Sequence, residues 1–225
     1  MSVASRIISI IVGYIFGLFQ TSYILGKLKG IDIRDYGSGN AGMTNTLRVL
    51  GPKAGTIVFI GDFMKAFICC TIIRFIAMYN MPDMVGVLVL YAGLGVVLGH
   101  NYPAHMGFKG GKGVASTAGV IVAIGDWRIV AINLTIFLVV TFVSKYMSLG
   151  SLTVVTTTFI SIVLFGQFDK VGFPGWEVKS EHLIEVYIMM FIFVASCYFM
   201  HRENIKRLLS GTERKIGEKK EEPQE

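Results

Sequence analysis

The chain is written in long apolar runs separated by short polar segments. The runs cover roughly residues 5–25, 54–76, 84–100, 113–126, 128–143, 149–167 and 183–200. A helix needs about 20 apolar residues to cross the roughly 30 Å hydrocarbon of a bilayer. The pattern therefore predicts an all-α integral membrane protein with seven transmembrane helices. The fourth and fifth runs are separated only by Asp126–Trp127–Arg128. These residues read as a tight turn at the interface, where tryptophan prefers to sit. One kinked segment over 113–143 would reduce the count to six. At 1.5 Å per residue that segment would rise about 46 Å, too far for one straight crossing.

Composition supports the membrane reading. Of 225 residues, 53% are hydrophobic and only 16% charged, against roughly 25% charged in soluble domains. One membrane-embedded domain over 1–217 is expected, followed by a charged, disordered tail over 218–225. Residues 1–25 carry no clean small-x-small cleavage site, and Gln20–Thr21–Ser22 interrupts the run. They read as an uncleaved first span. Five basic residues (Arg6, Arg74, Arg128, Lys170 and Lys179) fall on one side of the alternating topology, and Lys65 lies within a run. The other fifteen of the 21 Lys and Arg fall on the opposite side. Positive charge marks the cytoplasmic side, so the N-terminus is expected outside and the C-terminus inside. Basic residues confined to short loops exclude a nucleic-acid face. Cys69, Cys70 and Cys197 lie in apolar runs with neither zinc nor disulfide spacing.

The three richest polar segments, 27–53, 99–117 and 201–217, all map to the cytoplasmic side. Each has the chemistry of an anion site. In "GSGNAGMTN", residues 37–45, the glycines let backbone N–H groups turn toward one point, and Ser38, Thr44 and Asn45 add neutral donors. A helix starting at Thr44–Asn45 would favour an anion further, with Arg48 one turn beyond Thr44. In "GHNYPAHMGFKGGKGVAS", residues 99–116, Lys109 and Lys112 flank Gly110–Gly111. The glycine spacing is not that of a Walker A loop. In "HRENIKRLLSGTERKIG", residues 201–217, a helix would put His201 and Asn204 on one face.

These three segments resemble the signature motifs of the bacterial membrane glycerol-3-phosphate acyltransferases that use acyl phosphate as donor. The similarity extends to "SYILGKLKGIDIRDYGSGN" and "SKYMSLGS" and covers about residues 22–217. Met43 stands where alanine is commoner, and Ser116 where threonine is frequent. The resemblance implies seven spans and a site open to the cytoplasm, in the bacterial inner membrane. It implies acyl transfer to the 1-hydroxyl of sn-glycerol 3-phosphate, giving lysophosphatidic acid and phosphate for phospholipid biosynthesis. No metal and no cofactor are implied. The partners are acyl phosphate, glycerol 3-phosphate and membrane lipid, with functional coupling to the enzyme that makes acyl phosphate. By motif position, Ser38, Asn45, Arg48, Lys112, His201 and Asn204 are expected to serve catalysis. Gly37, Gly39, Asn40, Thr44, His100, Lys109, Gly110, Gly111 and Ser148 are expected to bind substrate.

Such a site must hold two phosphates against their repulsion, which suits glycines, Arg48, Lys109 and Lys112. None of His100, His105, His182 and His201 is followed by Asp at the fifth position, so a His-x4-Asp mechanism is excluded. His100 and His201 remain candidate bases, while the resemblance favours the donor's own phosphate as base, with these histidines orienting. Asp62 and Lys65, at i and i+3, read as a structural ion pair. The acyl chain is expected in a groove between spans. A transporter for a phosphorylated metabolite is the rival, but the polar motifs lie at one surface and not at matching positions of two repeats. A cytidine-nucleotide-dependent phosphatidyltransferase would need an aspartate-rich metal motif, which is absent.

Overall fold

The computed structural model describes residues 3–168 and 178–218. Lys170 and the tail beyond Glu218, both used in the readings above, lie outside them. The described chain is helical: α1 Val3–Gly17, α2 Thr21–Leu28, α3 Met43–Leu50, α4 Pro52–Asn80, α5 Val85–Asn101, α6 Val114–Ile124, α7 Trp127–Ser144, α8 Met147–Phe168, α9 Leu183–Met200 and α10 Arg202–Leu209. No strand occurs among the described residues.

Six segments are long and apolar enough to cross a membrane: Val3–Leu28, Pro52–Asn80, Pro82–Met106, Trp127–Ser144, Met147–Phe168 and Ser180–Met200. The expected fourth span is the difference. It forms α6, an apolar helix of 11 residues, which rises only about 16 Å. The chain does break before α7, but one residue earlier than expected. Gly125 takes φ +81, and the Asp126 carboxylate accepts from Arg128 N at 3.1 Å and from the Arg128 guanidinium at 2.8 Å. The turn is thus Gly125–Asp126, and Trp127 and Arg128 already belong to the first turn of α7, which Asp126 caps.

α5 is the centre. It is apolar all round except at its C-terminal end, and such a helix must be buried. Almost every residue from Val85 to Val97 is buried, against α1, α4, α6 and α9. α1 and α5 approach closely because both present glycine. A Cβ on Gly13 would stand 2.0 Å from the Ala92 carbonyl oxygen, and one on Gly95 would stand 2.2 Å from that of Ile10. Small residues are how membrane helices gain close packing without a hydrophobic driving force. The consequence for function is positional: the one polar end of this central helix, His100–Asn101, is delivered to the loops.

Candidate functional site

The first glycine-rich segment is organised by Asn45. Its side chain is buried, 1% exposed. Its Oδ1 accepts from Ser38 N at 2.7 Å and Ser38 Oγ at 3.1 Å, and its Nδ2 donates to the carbonyls of Ile33 at 3.1 Å and Tyr36 at 3.0 Å. All the bonding capacity of this amide goes into closing the loop. Gly37 must be glycine here, because its φ is +65 and a Cβ would meet Asn45 Oδ1 at 2.2 Å. The predicted helix start is present, one residue earlier, at Met43. Gly42 gives it no side-chain cap, so the first N–H groups of α3 stay open to an acceptor. Thr44 sits in that first turn and Arg48 one turn later. The backbone of Gly39 is turned inward, its N–H donating to the Tyr36 carbonyl at 3.1 Å, and Asn40 O accepts from Gly42 N at 3.1 Å.

In the second segment the glycines expected to bind substrate are engaged within the protein. Gly110 N donates to the Asn101 carbonyl at 3.1 Å, and Gly111 N to that of His100 at 3.1 Å. Both amides therefore cap the C-terminus of α5 and are unavailable to phosphate. The glycines are needed for space instead. A Cβ on Gly110 would meet His100 O at 2.0 Å, and one on Gly111 would meet His100 Nε2 at 2.1 Å and Ala41 O at 2.6 Å. Lys109 is exposed. Its carbonyl accepts from the Arg34 guanidinium at 3.4 Å, which also donates to Met106 O at 2.7 Å. Arg34 is held in turn by Asp32 at 2.8 Å, and this guanidinium keeps the Asp32 carboxyl down at about 2.

The third segment closes the site. Lys112 Nζ donates to Asn204 Oδ1. Asn204 Nδ2 donates to Glu213 Oε1 at 2.6 Å, Ser148 Oγ donates to the same oxygen at 2.8 Å, and Arg207 Nε donates to Oε2 at 2.7 Å. Ser148, Asn204 and Arg207 thus converge on one carboxylate, and Lys112 joins them through Asn204. His201 joins α9 to α10 and is 2% exposed. Its Nδ1 lies 2.8 Å from the Cys197 carbonyl. A carbonyl only accepts, so Nδ1 carries the proton and Nε2 the lone pair.

Charge in this cluster is predominantly positive. Arg48 makes no hydrogen bond or ion pair among the described residues. Burial lowers its pKa, as do Arg214 and Arg207, with Glu213 opposing. Burial is also the largest cause that brings Lys112 down to about 8, with Arg207 and Arg48 adding to it against Glu213. Burial and then Lys112 push His201 down to about 4. Burial raises Glu213, but the hydrogen bonds from Asn204, Arg207 and Ser148 outweigh it and hold the carboxyl below its ordinary value. Among the described residues, no three His, Cys, Asp or Glu side chains gather into a group that could hold a metal ion.

Residues 7–211 match the family described as glycerol-3-phosphate acyltransferase. The chain belongs to that family. A glycerol-3-phosphate acyltransferase of Clostridioides difficile (strain 630) is 41% identical, over 98% of this chain and 100% of that one. One from Alkaliphilus metalliredigens (strain QYMF) is 39% identical, over 95% and 97%. Two crystal structures of PlsY (YgiH), an integral membrane glycerol 3-phosphate acyltransferase, share the fold at 34% identity. The glycerol 3-phosphate form aligns with a TM-score of 0.79 and the lysophosphatidic acid form with 0.76, each over 95% of this chain and 96% of that one. The protein is thus an integral membrane acyltransferase, and the transporter reading is set aside.

The acyltransferase brings together Arg48, Lys112, Ser148, His201 and Asn204, as sequence reasoning expected. It commits Ser38 and Asn45 to each other and Gly110 and Gly111 to the end of α5. Glu213 went unnoticed in the sequence. Its signal was weak: one acid among basic residues in "SGTERKIG". Lys65 and Asp62 were read as a self-neutralising pair, yet Lys65 Nζ also lies 2.8 Å from His100 Nδ1.

Proposed function

We propose that this protein transfers a fatty acyl group from acyl phosphate to the 1-hydroxyl of sn-glycerol 3-phosphate. The products are lysophosphatidic acid and inorganic phosphate, as the first acylation of phospholipid synthesis at the cytoplasmic face of a bacterial inner membrane. α6 and α7 then act as a broken pair that completes seven crossings, with the N-terminus outside and the C-terminus inside. Functional coupling to the enzyme that makes acyl phosphate follows from this donor.

The observation that carries the reading is the unbalanced charge. Arg48, Lys112, Arg207 and Arg214 share one electrostatic neighbourhood, and its carboxylate Glu213 is already committed to Arg207, Asn204 and Ser148. Such a cluster is costly when empty and favourable with two phosphates in it. In the reaction the glycerol oxygen attacks the acyl carbon, the bond from that carbon to the phosphate oxygen breaks, and the phosphate leaves. Arg48 and Lys112 stabilise the charge that develops on the acyl oxygen and the departing group. The hydroxyl proton goes to the leaving phosphate. His201 is a poor competitor for that proton, because burial and the neighbouring Lys112 hold its imidazole pKa down at about 4. Its neutral Nε2 suits an orienting role, accepting a hydrogen bond from a substrate hydroxyl.

The test uses purified protein in detergent with palmitoyl phosphate and glycerol 3-phosphate, with and without EDTA. Phosphate release matched by lysophosphatidic acid formation, unchanged by chelation, is expected. Turnover with acyl-CoA alone, or turnover that EDTA abolishes and a divalent ion restores, refutes the assignment.

A further inference from the structure

The two glycine-rich segments are built separately. In the first, Asn45 ties Ser38 to the carbonyls of Ile33 and Tyr36. In the second, the amides of Gly110 and Gly111 are fixed to the end of α5. Each arrangement shapes its own segment and leaves the spacing between the two open. Among the described residues, the hydrogen bonds that join residues 29–51 to residues 99–113 all come from one side chain, that of Arg34.

Arg34 lies in the short 3-10 turn Ile33–Asp35, and the Asp32 carboxylate caps that turn by accepting from Arg34 N at 3.0 Å. The same carboxylate accepts from Arg34 Nε at 3.0 Å and from Nη2 at 2.8 Å. Two bonds to one carboxylate fix the plane of the guanidinium. Its Nη1 then donates across to the second segment, to the carbonyls of Met106 at 2.7 Å and Lys109 at 3.4 Å. The Tyr23 ring of α2 lies 5.5 Å from the guanidinium carbon, within reach of a cation–π contact. The side chain of Met106 is buried in one small apolar cluster with Ile33 and Ala41. Met106 is thus held twice by the first segment, through its side chain and through its carbonyl. A guanidinium offers five donors in a rigid fork, so it can grip a carboxylate and a carbonyl pair together, whereas an ammonium is a point charge on a flexible stem.

The first segment carries Arg48 and the second Lys112. Acyl transfer brings a hydroxyl from one molecule to an acyl carbon of another, and each molecule is held by its phosphate. The spacing of the two seats therefore enters the rate directly, and a misplacement of about 1 Å can cost on the order of 100-fold. We propose that Arg34 is a positioning residue for acyl transfer, whose guanidinium fixes the Arg48 segment against the Lys112 segment and so sets the separation of the two phosphate seats. The inference rests on reading those two cations as the seats.

Two measurements on the full chain in detergent test it. The first compares Arg34→Lys and Arg34→Ala with the unaltered protein. It reads kcat for phosphate release at saturating palmitoyl phosphate and glycerol 3-phosphate, and the Kd of glycerol 3-phosphate alone by calorimetry. Both variants should lose on the order of 100-fold in kcat and keep Kd within a factor of about three, because each cation keeps its own surroundings. Lysine at nearly full kcat overturns the proposal. So does a Kd that weakens as far as kcat falls, which would make Arg34 a phosphate ligand or a plain structural prop. If Arg34→Ala does not fold, Arg34→Lys decides. The second measures the spacing itself, by dipolar coupling between nitroxides on Tyr36→Cys and Phe108→Cys, both exposed positions. The distance distribution should be narrow with Arg34 present and broad with Arg34→Lys, and the same distribution in both overturns the proposal. This coupling needs no turnover. If the unaltered chain releases no phosphate from acyl phosphate, the donor assignment falls, and the spin-label distances still decide whether Arg34 fixes the two segments.

Discussion

Replacing Arg48 by alanine should abolish turnover while leaving the fold intact. Arg48 lies on α3, a helix of eight residues at the mouth of the site. It makes no hydrogen bond or ion pair among the described residues, and its charged neighbours are mostly repulsive, with Arg214 and Arg207 against Glu213. Removing it therefore breaks no hydrogen bond or ion pair, and the change in stability should stay within about 0.5 kcal/mol. For a domain of this size that is about 1–2 °C in Tm. The catalytic loss is of another order. A preorganised donor aimed at developing charge contributes about 2.7–4 kcal/mol, or 100- to 1,000-fold in kcat. Arg48→Lys keeps the charge but loses the planar fork that grips phosphate with two bonds, so it should recover only part of the rate. The assay is phosphate release at saturating acyl phosphate and glycerol 3-phosphate, alongside a thermal melt of each variant. A loss in Arg48→Ala below about tenfold refutes the electrostatic role. A Tm drop of many degrees refutes the claim that Arg48 is structurally idle. Lysine at full activity refutes the fork argument.

Three further outcomes follow from the same geometry. Lys112, at about 8 in the unliganded protein, loses its charge as pH rises through that value, so kcat/KM should fall on the alkaline side there, and Lys112→Met should remove that limb from the profile. Glu213→Gln should lower stability by about 1.5–3 kcal/mol, the worth of a hydrogen bond to a charged group. Because its folded pKa is depressed, Glu213 contributes stability that is present above the unfolded value of about 4.3 and lost as pH falls through the folded value; melts of the two proteins should converge on acidification. A reporter fused to the C-terminus should be reachable only from the cytoplasm and one at the N-terminus only from outside, and finding both on one side would mean that α6 does not complete a crossing.

How much of this could be read from the chain depends on which level a residue acts at. Helices declare themselves by apolar length: six of the seven expected runs fall on segments long and apolar enough to cross a membrane, and the break before α7 and the start of α3 were legible to within a residue. The length of α6 was not, because hydropathy marks an apolar run without showing where its helix starts and stops. The motifs were legible as anion chemistry, but they could not reveal which donors are already spent. Asn45, Ser38, Gly110 and Gly111 look like phosphate ligands in a string of letters. In three dimensions their hydrogen bonds close loops, and the proposed anion site is left to Arg48, Lys112 and the N-terminus of α3. Glu213 is the reverse case. An acid in a site proposed to bind two phosphates looks misplaced, since its charge opposes them. Its carboxylate instead gathers Ser148 from α8, Asn204 and Arg207 from α10, and through Asn204 also Lys112 from the second loop. One negative charge, fully committed, lets several positive groups be held close together before the substrate arrives. Preorganisation of that kind is what makes electrostatic catalysis effective, and it depends on a residue that touches no phosphate.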